Sequence, residues 1–322
     1  MNESATAARS DSRTLAASLA PVLTQACDGR LGEITWFKAD WQRGGAATGM
    51  STWRLDDEPA LRPVIVKLPV VQRELLWSRR LQTGSEPDPV VPRLYASDET
   101  LAGYDLAWIV IERLEHGPLG MHWHDDHVPR VAEAAARFHG AARAFEIDQP
   151  PRVEDWHALL GEAAENVRVN NIQRRSEWTA AIKNLRHHVG RLASEWEQRQ
   201  VQWLHGDLHL ANAMSRVGLE QGPVCLIDLA EVHVGHWVED AVYLERQLWA
   251  RPERMKQHKP VKEIAAARKR AGLPVDAEYP RLAMIRRALL AGTAPRFMKS
   301  EGHPAYLDAC LGWLEIALSE LA

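Results

Sequence analysis

The sequence predicts a bilobal α+β fold, an antiparallel-sheet lobe followed by a mainly helical one, and three observations carry that reading. The chain has 322 residues, more than the roughly 250 to 300 at which single hydrophobic cores stop growing. Its hydrophobic pattern changes period near Gly117, from alternation over short runs to a 3.6-residue repeat. After that change only residues 201–234 return to short strand-like runs.

Residues 1–12 are small and polar and read as a disordered tail. Leu15, Leu19, Val22 and Leu23 then repeat at helical spacing. The first lobe spans 13–114 and contains five strand-like runs, EITWFKAD, MSTWRL, PVIVKLPV, VVPRLYA and LAWIVIERL, rich in β-branched and aromatic residues and bounded by turn formers. One helix interrupts them, VQRELLWSRRL, where Val71, Leu75, Trp77 and Leu81 are apolar among charged neighbours. A helix against an antiparallel sheet follows. The second lobe spans 115–322. Val131, Ala134, Ala135, Phe138 and Ala142 form one helical stripe, and Val153, Trp156, Leu160, Ala163 and Val167 another. Further helices fall near Trp178–Trp196, Val238–Trp249 and Leu282–Leu290, and Leu307, Cys310, Leu311, Leu314 and Leu318 close the chain. The joint falls near Glu112–Gly117, and a cleft between unlike lobes is a preferred ligand site.

Composition narrows the function. A net charge of −4 supplies no basic field for nucleic acid or an anionic membrane, and no apolar run approaches the roughly 18 residues that span a bilayer. The expected partner is a small molecule, with no nucleic acid and no membrane. Three widely spaced cysteines, Cys27, Cys225 and Cys310, suit a reducing compartment, and the N-terminus MNESATAARSDSR lacks the apolar core of a secretory signal. A cytoplasmic protein, monomeric or homodimeric, is expected. The 13 tryptophans accompany only 5 tyrosines and 4 phenylalanines, so most of them replace missing aromatic packing.

The strongest motif is LHGDLHLANAM, residues 204–214, followed by VCLIDLAEV, residues 224–232. It presents His205, Gly206 and Asp207, then Asn212, then Asp228 after an apolar strand. An acid, a carboxamide and a second acid at these separations suit phosphoryl transfer: Asp207 can orient or accept the proton of an attacking hydroxyl, while Asn212 and Asp228 offer the oxygen ligands that Mg²⁺ prefers. Each residue alone is an ordinary turn, helix-cap or strand-end residue. Lys67 lies within an apolar strand and Glu74 seven residues on. A lysine there is costly unless paired, and pairing with Glu74 leaves its ammonium for nucleotide phosphates. Between the first two strands, QRGGAATGMSTWRL, residues 42–55, has three glycines that let backbone approach phosphates. Gly49 and Ser51 are its expected cofactor-binding positions.

With these residues, the chain resembles the aminoglycoside phosphotransferase and choline-kinase-like family of small-molecule kinases, which share a protein-kinase-like fold. The resemblance runs from the glycine loop through Lys67, Glu74 and LHGDLHLANAM to IDLAEVHVGHWVEDA. It implies an ATP-dependent phosphotransferase acting on a small-molecule hydroxyl, with ATP and Mg²⁺ as cofactors. By resemblance Asp207 is the catalytic base, Asn212 and Asp228 hold Mg²⁺, Lys67 and Glu74 form the phosphate-holding pair, and the Glu112 carbonyl and Leu114 amide meet adenine. Asp240 matches an acidic position that braces the catalytic loop. His205 and His209 complete the expected catalytic set, His209 orienting Asp207 or touching the acceptor.

Two features set the chain apart from protein kinases: no arginine precedes Asp207, and eleven residues separate Asp228 from Asp240, too few for a long regulatory loop. A non-catalytic nucleotide-binding pseudokinase is the alternative, but such a module is expected to have lost one of Lys67, Asp207, Asn212 or Asp228, and none is missing. The MHWHDDH stretch, with His122, His124 and His127, fits no zinc spacing and reads as a polar connection before a helix. Residues 115–322 carry 26 basic and 28 acidic residues, no excess that would favour a polycationic acceptor; sugar, amino alcohol and antibiotic acceptors stay open.

Overall fold

The computed structural model describes residues 17–37, 46–56, 60–82, 89–197, 199, 201–218, 222–298 and 302–321. The expected tail and the first part of the glycine-rich segment lie outside the described residues. Packing divides the chain into a first unit, up to Pro118 together with Ala213–Val232, and a second, Leu119–Asn212 together with His233 onward.

The first unit is built on a five-stranded antiparallel sheet in the order β1-β2-β3-β5-β4. Its strands are β1 (Thr35–Phe37), β2 (Ala47–Arg54), β3 (Leu61–Leu68), β4 (Leu94–Asp98) and β5 (Trp108–Glu112). Alternation along β3 sets the faces. Val64, Val66 and Leu68 join Trp53, Trp108 and Val110 in a core closed by Leu19 and Leu23 from the helix α1 (17–26). The opposite face carries Ile65 and Lys67, with Ile109 paired to Lys67. Helix α2 (Gln72–Arg80) has Glu74 in its first turn and Arg79 and Arg80 in its last, each sign where the helix dipole favours it. It packs Leu75 against Ile109, beside Leu94 and Ile111.

A short hairpin completes this unit: β7 (Ala213–Ser215) pairs with β8 (Val224–Leu226). Assigned to the helical lobe by period, it belongs with the sheet, and Arg216 is the reason. Its guanidinium meets the Glu112 carboxylate at 2.9 Å and donates to the carbonyls of Pro89 and Val91, both at 2.8 Å, a tertiary tie that hydrophobic period does not report.

The second unit is helical: α3 (His127–Ala142), α4 (Trp156–Val169), α5 (Arg175–Glu197), α6 (Val238–Arg246), α7 (Pro252–Gln257), α8 (Pro260–Arg270), α9 (Tyr279–Thr293) and α10 (Pro304–Leu321). A two-stranded ribbon, β6 (Gln202–Leu204) with β9 (His233–Gly235), lies among them. The expected stripes are largely buried, except that Val153 precedes α4 and is exposed, and Trp178, Trp196 and Trp237 are among the largest fully enclosed side chains, as the packing reading of tryptophan requires. Helices α7 and α8 were not expected: α7 buries nothing, and the buried face of α8 is Val261, Ile264, Ala265 and Ala267 interrupted by Arg268, a stripe too small and too charged to register as amphipathic. Among the described residues no helix is long and apolar enough to cross a membrane.

Candidate active site

The first unit holds a cavity of about 400 Å³. Met50, Ile65, Ile109, Ile111, Met214 and Ile227 give it apolar walls, and Lys67, Glu74 and Asp228 give it a charged end. Strand parity puts Lys67 there. Its Nζ meets Glu74 Oε1 at 2.6 Å, with the two side chains 13% and 10% exposed. Burial works to lower the lysine pKa, but the Glu74 and Asp228 carboxylates outweigh it and raise it above the ordinary value, so the ammonium stays charged. Asp228 adopts φ +66°, a left-handed conformation costly for a residue with a side chain, just after β8.

Glu112 and Leu114 line the same cavity. Glu112 lies three residues beyond Ile109, the partner of Lys67, which is about 10 Å along a strand. Arg216, through the Glu112 carboxylate, fixes that end of the cavity wall.

The structure places Gly49 and Ser51 within a strand and off the cavity lining. Gly49 and Ser51 are interior residues of β2 and face away from the cavity, which Thr48 and Met50 line instead. Ser51 Oγ donates to the Gly32 carbonyl at 3.0 Å. A Cβ on Gly49 would lie 2.5 Å from Ile34 Cγ2 and 3.0 Å from Trp36 Cε3, so the glycine admits those two side chains to the sheet surface. Strand parity turns the Ser51 side chain away from the cavity.

The second unit carries Asp207. Gly206 before it has φ +81°, a conformation glycine adopts without strain. Asn212, closing a 3-10 turn at Leu210–Asn212, donates Nδ2 to the Asp207 carbonyl at 3.0 Å and to Oδ2 at 2.9 Å. His209 Nδ1 accepts the Asn212 amide at 3.1 Å. A neutral His209 ring therefore carries its proton on Nε2, which faces Asp207 Oδ2 at 3.4 Å. The Tyr243 hydroxyl also bonds the carboxylate. Burial alone would raise the Asp207 pKa; the hydrogen bonds and charge from His209, with Tyr243, overcome it and hold the group well below the usual carboxylate range.

His205, expected in the catalytic set, is completely buried. Its Nδ1 accepts the Asp207 amide at 3.3 Å and its ring meets Phe138 edge-on. It shapes the loop and cannot reach a substrate. Asp240 braces the same loop, Oδ2 accepting the His205 amide at 3.0 Å and Oδ1 the Gly206 amide at 2.9 Å. Tyr243 escaped sequence reasoning, although it lies one helical turn after Asp240 on α6.

Asn212 in the second unit and Asp228 in the first each offer an oxygen donor. Asn212 commits its Nδ2 to Asp207 and so keeps Oδ1 for a ligand; Asp228 supplies a carboxylate whose charge acts on Lys67. Both are hard oxygen donors of the kind that suits Mg²⁺. In the MHWHDDH stretch the His124 and His127 rings lie 5.1 Å apart; among the described residues no group of three or more His, Cys, Asp or Glu is arranged as a metal cage.

Comparison with known proteins identifies the family and the fold. The profile of the phosphotransferase enzyme family matches residues 47–285. No curated protein matches the chain. Among solved structures, a microcompartment-associated aminopropanol kinase superposes with a TM-score of 0.60 at 15% identity, over 93% of this chain and 95% of that one. The aminoglycoside phosphotransferase of Alicyclobacillus acidocaldarius gives 0.55 at 16% identity, over 92% and 93%. A thermostable mutant of the aminoglycoside phosphotransferase APH(4)-Ia, in ternary complex with ADP and hygromycin B, gives 0.53 at 12% identity, over 95% and 99%. At these identities the likeness is one of fold, and the fold is protein-kinase-like.

Proposed function

The chain belongs to the phosphotransferase enzyme family, and on that premise we propose that it is a cytoplasmic Mg-ATP-dependent kinase that moves the γ-phosphoryl group to a hydroxyl of a small molecule. The observation that carries the reading is the Lys67–Glu74 ion pair, 2.6 Å long, in the wall of an apolar cavity that also presents Asp228. Such a pair suits a triphosphate better than a neutral ligand. The relatives that bind ADP and hygromycin B, or are named for aminopropanol, support nucleotide and small-molecule ligands.

In this reading the adenine lies between the apolar walls, against the Glu112 carbonyl and the Leu114 amide, and Lys67 holds the phosphates. Asn212 and Asp228 would hold Mg²⁺, which when bound neutralises charge on the β and γ phosphates. Asp207 orients the acceptor hydroxyl. The hydroxyl oxygen forms the new bond to phosphorus, the bond to the ADP oxygen breaks with its electron pair, and ADP leaves. A carboxylate held so far below its usual range is a weak base, so Asp207 takes the hydroxyl proton only after bond formation has made it acidic. Most of the acceleration then comes from positioning and charge stabilisation.

The test is ADP release from MgATP across a panel of sugars, amino alcohols and hydroxylated antibiotics, comparing wild type with Asp207→Asn. Release that depends on one acceptor and falls by at least about 100-fold in the variant is expected. Nucleotide binding with no acceptor-dependent release by wild type would favour the pseudokinase alternative, and undiminished release by the variant would remove Asp207 from the mechanism.

A further inference from the structure

Behind Asp240 a line of buried groups runs through His139 to Arg268, on the helix α8 that period analysis did not find. His139, on α3, places Nε2 2.9 Å from Asp240 Oδ2 and Nδ1 3.0 Å from Arg268 Nη1. The histidine and the arginine are each about 1% exposed. A guanidinium has donors only and keeps its proton in proteins. His139 Nδ1 must therefore accept, and the one proton of the neutral ring sits on Nε2, directed at Asp240. A second proton would set N–H against N–H inside the core.

We propose that Arg268 is a positioning residue for phosphoryl transfer: it locks His139 as the neutral Nε2–H tautomer, so that Asp240 keeps both oxygens on the His205 and Gly206 amides and holds the Asp207 loop in place. The proposal rests on the reading of Asp207 as the carboxylate that orients the acceptor. It extends the site by two residues, His139 and Arg268, that touch no substrate.

The guanidinium is held for the purpose. Its Nη2 donates to Gln202 Oε1 at 3.0 Å and to the Pro274 carbonyl at 2.9 Å, and Cζ lies 5.3 Å from the centre of the Trp237 ring. Gly272, at φ +68°, turns the chain after α8 toward the segment that supplies Pro274. Four charged or titratable groups set the balance beyond the pair itself. Asp240 on α6 and His205 after β6 act on His139; Arg143 after α3 and Asp276 after α8 act on Arg268, as does Asp240. Burial lowers the His139 pKa, Asp240 opposes the fall, and Arg268 and His205 add to it. Burial brings the Arg268 pKa down only to about 10, so it stays cationic at neutral pH. The negative Asp240 and the positive Arg268 face each other across an uncharged imidazole.

The experiment is side-chain ¹⁵N NMR of the full chain with labelled histidine, for wild type, Arg268→Met and, for assignment, His139→Gln, together with ADP release from MgATP. In wild type the resonance missing from His139→Gln is expected to remain the Nε2–H tautomer from about pH 5 to about pH 9. In Arg268→Met the same ring is expected to titrate. The turnover number is expected to fall about 10-fold or more, further toward acid pH, with the KM for ATP changed less than about 2-fold. A wild-type His139 that titrates in this range, or that carries its proton on Nδ1, overturns the lock whether or not Arg268→Met folds. Unchanged turnover and pH profile in a folded Arg268→Met overturns the positioning role. The expected tautomer in a protein that turns over no acceptor supports the lock and overturns the functional reading.

Discussion

Replacing Lys67 by methionine separates what the Lys67–Glu74 pair does for stability from what it does for a nucleotide. The two side chains are 13% and 10% exposed and meet at 2.6 Å, beside the apolar Ile65, Ile109 and Ile111 of the cavity wall. Removing one member of a buried pair leaves the other desolvated and uncompensated, a loss of about 3 to 5 kcal/mol. That is a large share of the roughly 5 to 15 kcal/mol that holds a domain folded. The double variant Lys67→Met with Glu74→Leu removes both charges and fills the space with apolar atoms, and is expected to regain stability to within about 1 kcal/mol of wild type. Neither variant should bind MgATP with more than about a tenth of wild-type affinity. Urea unfolding followed by circular dichroism and titration calorimetry with MgATP give the two quantities. Because the pKa of Lys67 is raised on folding, its stabilisation is complete below the unfolded value of about 10.4 and is lost only as pH rises through the still higher folded one. The loss in Lys67→Met should therefore be flat from about pH 6 to about pH 9. A single variant as stable as wild type would show that the pair is not a buried one, and a double variant that keeps its nucleotide affinity would remove Lys67 from the phosphate site.

Two further substitutions test the sheet and the loop that carries Asp207. Gly49→Ala should cost about 1 to 3 kcal/mol through the clash with Ile34 and Trp36, read as a lower melting temperature, while the affinity for MgATP stays within about 2-fold; lost affinity at unchanged stability would return Gly49 to the phosphates. Asp240→Asn can keep only one acceptor oxygen, so at least one of the His205 and Gly206 amides loses its buried partner at about 1 to 3 kcal/mol, and exchange of those amides with deuterium should quicken by at least about 10-fold. Burial works to raise the Asp240 pKa, but His139 and the loop amides lower it below its ordinary value. The Asp240 contribution is thus present above the unfolded pKa of about 3.9 and lost as pH falls through the lower folded one, and the variant should show a shallower acid unfolding limb than wild type.

What could be read from the sequence depended on whether a requirement was local. Asp207, Asn212 and Asp228 stood out as candidates because residue types that suit phosphoryl transfer lie there within a short segment, and the sheet was legible because five runs of β-branched and aromatic residues stand between turn formers. Lys67 and Glu74 were legible for a related reason: a lysine in an apolar strand implies a partner nearby. The strand position of Gly49 and Ser51, off the cavity lining, was not legible. The strand β3, with Val64, Ile65, Val66 and Leu68, is apolar on both faces, so alternation gives no sign of which face bears the cavity. Pairing of Thr48 with Lys67 decides it, and that register is tertiary. Arg216 and Arg268 failed for a deeper reason. Each is a basic side chain whose meaning depends on which acceptor atoms surround it. Arg216 sits after β7 with three carbonyl or carboxylate partners, and Arg268 sits where an apolar residue would complete the buried face of α8. In period analysis both count against structure, yet a buried guanidinium with its donors satisfied fixes position more narrowly than an apolar side chain does, because it dictates the protonation and direction of every partner it touches. The residues that set the geometry of the Asp207 loop are therefore the ones least visible in a hydrophobic pattern, and a search for them has to begin from buried donors and acceptors instead of from period.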